Sequence, residues 1–227
     1  ATKGFELHSG KLPHRVAAEV LGDACPVAVL SGPTFAKEVG EGLPTAMTVA
    51  ANDPTFAKEL AVVLSGENFR AYTSDDMVGV EVGGAVKNVL AIAAGMCDGL
   101  GFGANSRVAL ITRGLVEMTR LGVALGANRE TFMGLAGMGD LVLTCTDDLS
   151  RNRRMGLALA SGKSVDETRA EIQQVVEGVM AAEAVMEVAN DLGIEMPICQ
   201  QVYRILYENA SPMEAVGALM GRELKSE

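Results

Sequence analysis

The hydrophobic pattern of this chain changes period once, at Ser74-Asp75-Asp76, and that change divides what the chain can fold into. Ahead of it lie three short apolar runs, 26–30 (PVAVL), 45–51 (TAMTVAA) and 69–72 (FRAY), each bounded by Gly, Pro, Asn or Asp, which predicts strands. Helical signals separate them. Pro13 opens RVAAEVLG, and Asp53-Pro54 opens TFAKELAVVLSG, with Asp53 as N-cap, Pro54 in the first helical position and Gly66 past the end. Alternating strand and helix predicts that residues 1–75 form part of a parallel α/β sheet.

Beyond the break a 3.6-residue repeat takes over. MVGVEVGGAVKNVLAIAAGM reads as a helix, followed by NSRVALITRGLVEMTRLGVAL, with Asn105 as cap and Gly126 past its end, then SRNRRMGLALASG, VMAAEAVMEVANDLG and SPMEAVGALMG. Residues 76–227 are therefore expected to form an all-helical domain. No repeat, low-complexity tract or Pro/Ser-rich linker separates the halves, so they are expected to pack together with a ligand site in the cleft between them.

Composition narrows the function classes. With 48% hydrophobic and 21% charged residues, a chain of 227 can bury a sizeable core. Nineteen Lys plus Arg against twenty-nine Asp plus Glu leave a net charge of −10, which argues against nucleic acid or an anionic membrane as partner. Gly, Glu, Asp or Lys interrupts every apolar run short of the about 18 residues that span a bilayer, so no membrane insertion is expected. Cys25, Cys97, Cys145 and Cys199 are far apart with no C-x-x-C pair, which reads as reduced thiols in a cytoplasmic protein. His8 and His14 alone make no zinc set and no Ser-His-Asp constellation, so no metal is expected, and the chemistry falls to Lys, Arg, Asp and hydroxyls.

Four segments could carry it. On a helix, Val80, Gly83, Gly84, Lys87 and Ala91 share a face, so one ammonium projects among small and apolar residues. Desolvation and a neighbouring cation would lower its pKa into general-base range; taken by itself, the segment favours a lysine snorkelling from a packed helix. In Gly134-Leu135-Ala136-Gly137-Met138-Gly139-Asp140, three glycines precede an Asp that either orients a lysine or hydroxyl, or merely caps a helix after a loop. Ser150-Arg151-Asn152-Arg153-Arg154 is the densest basic cluster of an acidic chain, placed at a helix start where cations are unfavourable unless an anion sits there. First-turn N–H groups plus a bidentate Arg make a phosphate site. Ser31-Gly32-Pro33-Thr34-Phe35-Ala36 follows the first strand, where open α/β sheets bind ligands, although such a segment is more often just a turn.

Taken together and in order, ATKG, SGPTFAKEV, EVGGAVKNVLAIAAGM, NSRVALITRGLVEM, GLAGMGDLVLTCT, SRNRR and VVEGV resemble the bacterial-type NAD(P)-dependent glycerol-3-phosphate dehydrogenases over nearly the whole chain. The resemblance implies a Rossmann-type sheet at residues 1–75, binding NAD or NADP, followed by a helical domain of the 6-phosphogluconate-dehydrogenase type at 76–227. The implied activity interconverts sn-glycerol 3-phosphate and dihydroxyacetone phosphate, supplying phospholipid synthesis, with a homodimer compatible with it. It also implies that Lys87 accepts the C2 hydroxyl proton, Asn88 positions substrate, and Lys3 contacts substrate and cofactor. Asp140 and Thr144 would orient the lysines and the glycerol hydroxyls, and Ser150, Arg151 and Asn152 would hold phosphate. Gly32, Thr34 and Ala36 would lie near substrate and nicotinamide, with Val175 and Glu177, beside Arg151, touching cofactor. Thr34 stands where the family more usually has Ser, which keeps the hydroxyl.

The front departs from the family. No strand precedes a G-x-G-x-x-[GA] turn, since Gly4, Gly10 and Gly22 are isolated. The chain opens Ala1-Thr2-Lys3-Gly4 without a Met, so roughly a hundred residues of the dinucleotide half are expected to lie outside it. Two other readings stay open: a non-catalytic substrate-side or oligomerisation domain, and a related two-domain hydroxyacid dehydrogenase.

Overall fold

The computed structural model describes residues 3–223, so the Ala1-Thr2 of the opening ATKG lies outside the described residues. The first part alternates α1 (Pro13–Leu21), β1 (Ala28–Ser31), α2 (Ala36–Gly40), β2 (Thr45–Ala51), α3 (Pro54–Leu64) and β3 (Phe69–Ser74). Asp53 caps α3 by accepting from the amides of Thr55 and Phe56, with Pro54 at the first helical position.

The three strands form one sheet in the order β1-β2-β3, with the buried β2 at its centre. β2 and β3 are parallel, Thr45 facing Phe69, across the α3 crossover, as the alternation predicts. β1 instead runs antiparallel to β2, Ala28 opposite Ala51, so the sheet is mixed rather than wholly parallel. The cause is the connection. The five-residue α2 advances the chain only about 7.5 Å, well short of the roughly 23 Å length of the seven-residue β2. The chain therefore turns back beside β1 instead of recrossing the sheet.

The second part is helical: α4 (Met77–Gly99), α5 (Ala104–Ala124), a 3₁₀ turn (Arg129–Met133), a π-helical turn (Leu135–Gly139), α6 (Asp140–Thr146), α7 (Arg151–Ala160), α8 (Val165–Ile172), α9 (Glu177–Asp191), α10 (Pro197–Tyr207) and α11 (Pro212–Met220). Asp76 builds the junction. Its carboxylate caps α4 at the Gly79 amide and also accepts from the Asn128 amide and the Thr131 hydroxyl.

α4 is the core. Its residues are buried almost continuously from Met77 to Cys97, and α5, α6, α7, α9 and α10 pack around it. Here one expectation is corrected: this 23-residue helix, with a mean hydropathy of 1.5, is long and apolar enough to cross a membrane by length and composition. Gly and Ala do not break its apolar character, and only Glu81, Lys87 and the terminal Asp98 carry charge. Protein, not lipid, surrounds it, with 94% of its apolar span buried.

α7 crosses α4 most closely. A Cβ at Gly156 would overlap the Ile92 carbonyl, and one at Gly95 would overlap the Arg153 carbonyl, so each glycine admits the other helix's backbone. Asn105 is not the cap of α5. Gly103, in an extended conformation, holds that place, and Asn105 lies inside the first turn. Four helices escape the periodicity. α2 and α6 are short, and α8 has a Ser164/Glu167 capping box but a mostly polar sequence. α10 has no local side-chain cap, because buried Glu117 on α5 accepts from the amides of Ile198 and Cys199. Burial pushes that carboxyl up to about 7, against the two amides that pull it down.

Replacing Gly156 by Ala should destabilise the protein by about 3 kcal/mol or more, because the backbones must separate. Gly217→Ala, in open space on α11, should be neutral or stabilising by up to about 1 kcal/mol. Urea unfolding of the two variants measures the contrast.

Candidate active site

Two consecutive glycines bring the reactive groups together. A Cβ at Gly83 would lie 2.5 Å from the Ala136 carbonyl, so its absence lets α4 press against the π-helical turn. That turn delivers Asp140 as the first residue of α6, only 2% exposed. At Gly84 the free space receives the aliphatic arm of Lys3, whose Cδ would be 3.4 Å from a Cβ there. Lys87, one turn further along α4, faces the same carboxylate.

The result is one buried carboxylate between two ammonium groups. Lys87 Nζ donates to Asp140 Oδ1 at 2.5 Å and to Thr144 Oγ1 at 2.9 Å, and Lys3 Nζ donates to Asp140 Oδ2 at 2.9 Å. Thr144 in turn donates to the Asp140 carbonyl at 2.6 Å, which aims its oxygen at the lysine. Burial lowers the Lys87 pKa first, the Lys3 charge adds to that, and Asp140 opposes both, leaving it at about 8. A lysine poised there can both take and give a proton near neutral pH.

A second line of polar groups leaves Asn88, the residue after Lys87. Asn152 Nδ2 donates to Asn88 Oδ1 at 2.9 Å, and the Gly178 amide donates to Asn152 Oδ1 at 2.8 Å, joining α4, α7 and α9. A Cβ at Gly178 would lie 2.6 Å from the Asn88 carbonyl and 2.7 Å from Asn152 Oδ1. Ser150 caps α7, accepting from the Arg153 amide at 3.2 Å. Arg151 is half-buried and only loosely paired with Glu177, at 3.8 Å.

The basic cluster is divided. Arg153 is buried and bound to Asp98 at 2.5 Å, to Asp148 at 2.9 Å and to the Cys145 carbonyl at 3.3 Å. Its charge is thus neutralised by the protein, and those carboxylates account for part of the cationic helix start that sequence alone assigns to an anion. Arg154 is exposed, and Arg151 has only the loose contact with Glu177.

At the end of β1, Gly32 turns the chain with φ +150°, packed on the Met47 backbone, and Thr34 donates back to the Gly32 carbonyl at 3.2 Å. Pro33 lies 3.8 Å from where a Gly139 Cβ would be, which places this turn beside Asp140. Ala36 and Val175 are exposed. Ser31 and Gly178 stand in the strand-end segment and in VVEGV, but the sequence assigns neither a role. Ser31 Oγ is buried against Gly84 and, among the described residues, has no hydrogen-bond partner; the serine looks like any strand-end residue. Gly178 carries a signal in VVEGV, a glycine inside an apolar helix start.

The described residues thus form a mixed sheet and a helical array that meet at a buried lysine–carboxylate pair, an arrangement suited to an enzyme that moves protons. The family model for the C-terminal part of NAD-dependent glycerol-3-phosphate dehydrogenase matches residues 76–217, and that for its N-terminal part matches 1–57. The glycerol-3-phosphate dehydrogenases (NAD(P)+) of Thioalkalivibrio sulfidiphilus and Aeromonas hydrophila are each 60% identical across all of this chain, which spans 68% of their length. The crystal structure of glycerol-3-phosphate dehydrogenase from Coxiella burnetii, 50% identical, superposes with a TM-score of 0.95 over 98% of this chain and 68% of its own. The chain belongs to the NAD-dependent glycerol-3-phosphate dehydrogenase family.

Removing the shared carboxylate should expose the cost of the array. Asp140→Asn leaves two ammonium groups facing each other, and the loss should be about 3–5 kcal/mol at pH 6. Folded Lys87 titrates near 8 against about 10.5 unfolded, so it opposes folding fully below pH 8 and progressively less above. The deficit should therefore shrink at pH 9.5, as paired urea unfolding curves will show.

Proposed function

We propose that Lys87 is the acid/base for interconversion of sn-glycerol 3-phosphate and dihydroxyacetone phosphate, the activity of this family, which supplies glycerol 3-phosphate for phospholipid synthesis. The observation that carries this is the buried Lys87–Asp140–Lys3 array. Neutral Lys87 takes the C2 hydroxyl proton on oxidation, and protonated Lys87 returns it to the carbonyl oxygen on reduction. Asp140 and Thr144 hold the Lys87 ammonium in one rotamer, and Lys3 supplies a second donor beside it. Ser150, Arg151 and Asn152 are the phosphate end, where first-turn N–H groups and a guanidinium only loosely paired with Glu177 favour a dianion. Asn88 connects the two ends through Asn152.

The nicotinamide end of NAD or NADP would be held by the Gly32, Thr34 and Ala36 turn on one side and by Val175, Glu177, Arg151 and Lys3 on the other. The unpartnered Ser31 hydroxyl beneath that turn fits a polar ligand arriving there. A bound nicotinamide would supply the acceptor for the C2 hydride. Among the described residues, no Gly-rich triplet follows a strand.

We also read residues 1–75 as sheet domain and 76–227 as helical domain, supported by the Asp76 cap between β3 and α4. Free Cys25, Cys97, Cys145 and Cys199 support a reducing, cytoplasmic setting.

Lys87→Ala should lower kcat by at least about 10²-fold, and near-normal turnover would remove the acid/base role. Arg151→Ala should raise the KM for glycerol 3-phosphate about tenfold, some 1.4 kcal/mol of binding, with kcat little changed. Fluorescence titration of the 227-residue chain with NADH and NADPH should show only weak binding. Saturation at micromolar cofactor would show that the Gly-rich turn is dispensable.

A further inference from the structure

Lys3 reaches the site from a segment with little secondary structure of its own, yet its ammonium is placed as well as that of Lys87 on the core helix. Three features hold residues 3–14 in place. Phe5 and Leu12 are buried in the main core, at 8% and 6% exposure. The stretch between them folds back on itself: the Glu6 amide donates to the Lys11 carbonyl at 2.8 Å and the Gly10 amide to the Glu6 carbonyl at 3.0 Å. His8 and Gly10 adopt positive φ, 66° and 64°, to close that loop. The two ends of the segment are thereby tied together.

The far end is gripped by Glu81. α1 has no side-chain cap of its own, since Leu12 stands at the N-cap. Glu81 Oε1 accepts from the His14 amide at 2.8 Å, and Oε2 bonds the His14 Nδ1. Glu81 is buried to 5% exposure on α4, three residues before Gly84 and six before Lys87. Three positions of α4, each three residues from the next, thus engage the same segment: Glu81 binds His14, Gly84 receives the Lys3 arm, and Lys87 shares Asp140 with the Lys3 ammonium.

We propose that Glu81 is a positioning residue of the reaction: by holding His14 it clamps the 3–14 segment to α4 and fixes the Lys3 ammonium beside the Asp140–Lys87 pair. This role rests on the acid/base reading of Lys87, but its physical content, the placement of one charge next to another, does not depend on turnover. The groups facing Lys87 are Lys3 from the segment, and Asp140, Thr144 and the Cys145 thiol from α6, whose burial pushes it up to about 12 and keeps it neutral. Lys3 is the member of that set whose position Glu81 controls. Loss of the Glu81 carboxylate as a mere nearby anion would lower the Lys87 pKa, whereas loss of the Lys3 charge beside it raises it.

The test is NMR titration of the full chain carrying [13Cε]lysine, with the Lys87 signal identified by its loss in Lys87→Arg. Lys3→Met should raise the Lys87 midpoint from about 8. Glu81→Met, which keeps the volume and helix propensity, should also raise it, cutting the neutral fraction at pH 8 about threefold. Glu81→Gln, which retains an oxygen for the His14 amide, should restore the midpoint. In the double variant Glu81→Met/Lys3→Met the midpoint should match Lys3→Met alone. A midpoint in Glu81→Met that stays or falls would overturn the proposal, and so would a further rise in the double variant. If Glu81→Met fails to fold by circular dichroism, His14→Ala carries the same test: a smaller rise supports the clamp and none overturns it. Should Lys87→Ala keep its turnover, the acid/base assignment falls, while the NMR result still decides the clamp.

Discussion

A lysine on the most deeply buried helix of a protein is tolerable only if a carboxylate comes to it, and the Lys87–Asp140 contact organises much of what surrounds it. α4 is enclosed by protein along nearly its whole length, and the Lys87 side chain keeps only 9% of its surface exposed. Asp140 must therefore be brought inward, and the π-helical turn ahead of α6, seated against the bare Gly83, does so. With one carboxylate and two ammonium groups the site carries a surplus positive charge in a protein of net charge −10, which suits an anionic substrate and keeps polyanions away.

The same helix ties the lysine to the start of α7. Asn88 follows Lys87 directly, and its bond to Asn152 sets the start of α7 relative to the lysine. Gly95 and Gly156 let the two helices approach to backbone contact, so that start is held by rigid elements rather than by a loop. A phosphate gripped there would place the reacting carbon by geometry, which is how binding remote from a reaction centre contributes to its rate. Arg153 pins this corner through Asp98 and Asp148, and Arg151 is left for the ligand. On the phosphate reading, two arginines either side of Asn152 serve stability and recognition separately.

Much of the architecture was legible in the sequence because it depends on local rules. The Asp53-Pro54 start of α3, the Ser150 cap of α7 and the apolar repeat of α9 each need only a few neighbouring residues. What escaped depends on residues distant in the chain. α10 is capped by Glu117 from another helix, and α1 by Glu81 across sixty-seven positions. The antiparallel turn of β1 reflects the length of α2 rather than any strand signal. At the site, Lys87 and Asp140 stand in glycine-rich motifs that announce close approach, whereas Ser31 and Glu81 matter through what packs on them, and that packing exists only in three dimensions.

On the acid/base reading of Lys87, a reversible dehydrogenation asks one group to be base in one direction and acid in the other, and a shared carboxylate meets that demand. A buried lysine with a carboxylate to itself would be held protonated and could only donate; a buried lysine with none would be held neutral and could only accept. Lys3 resolves the conflict by drawing on the second oxygen of Asp140 and by adding a repulsive charge next to Lys87. The balance near pH 8 is then a property of three chain segments brought together, the 3–14 segment, α4 and α6, and not of Lys87 by itself.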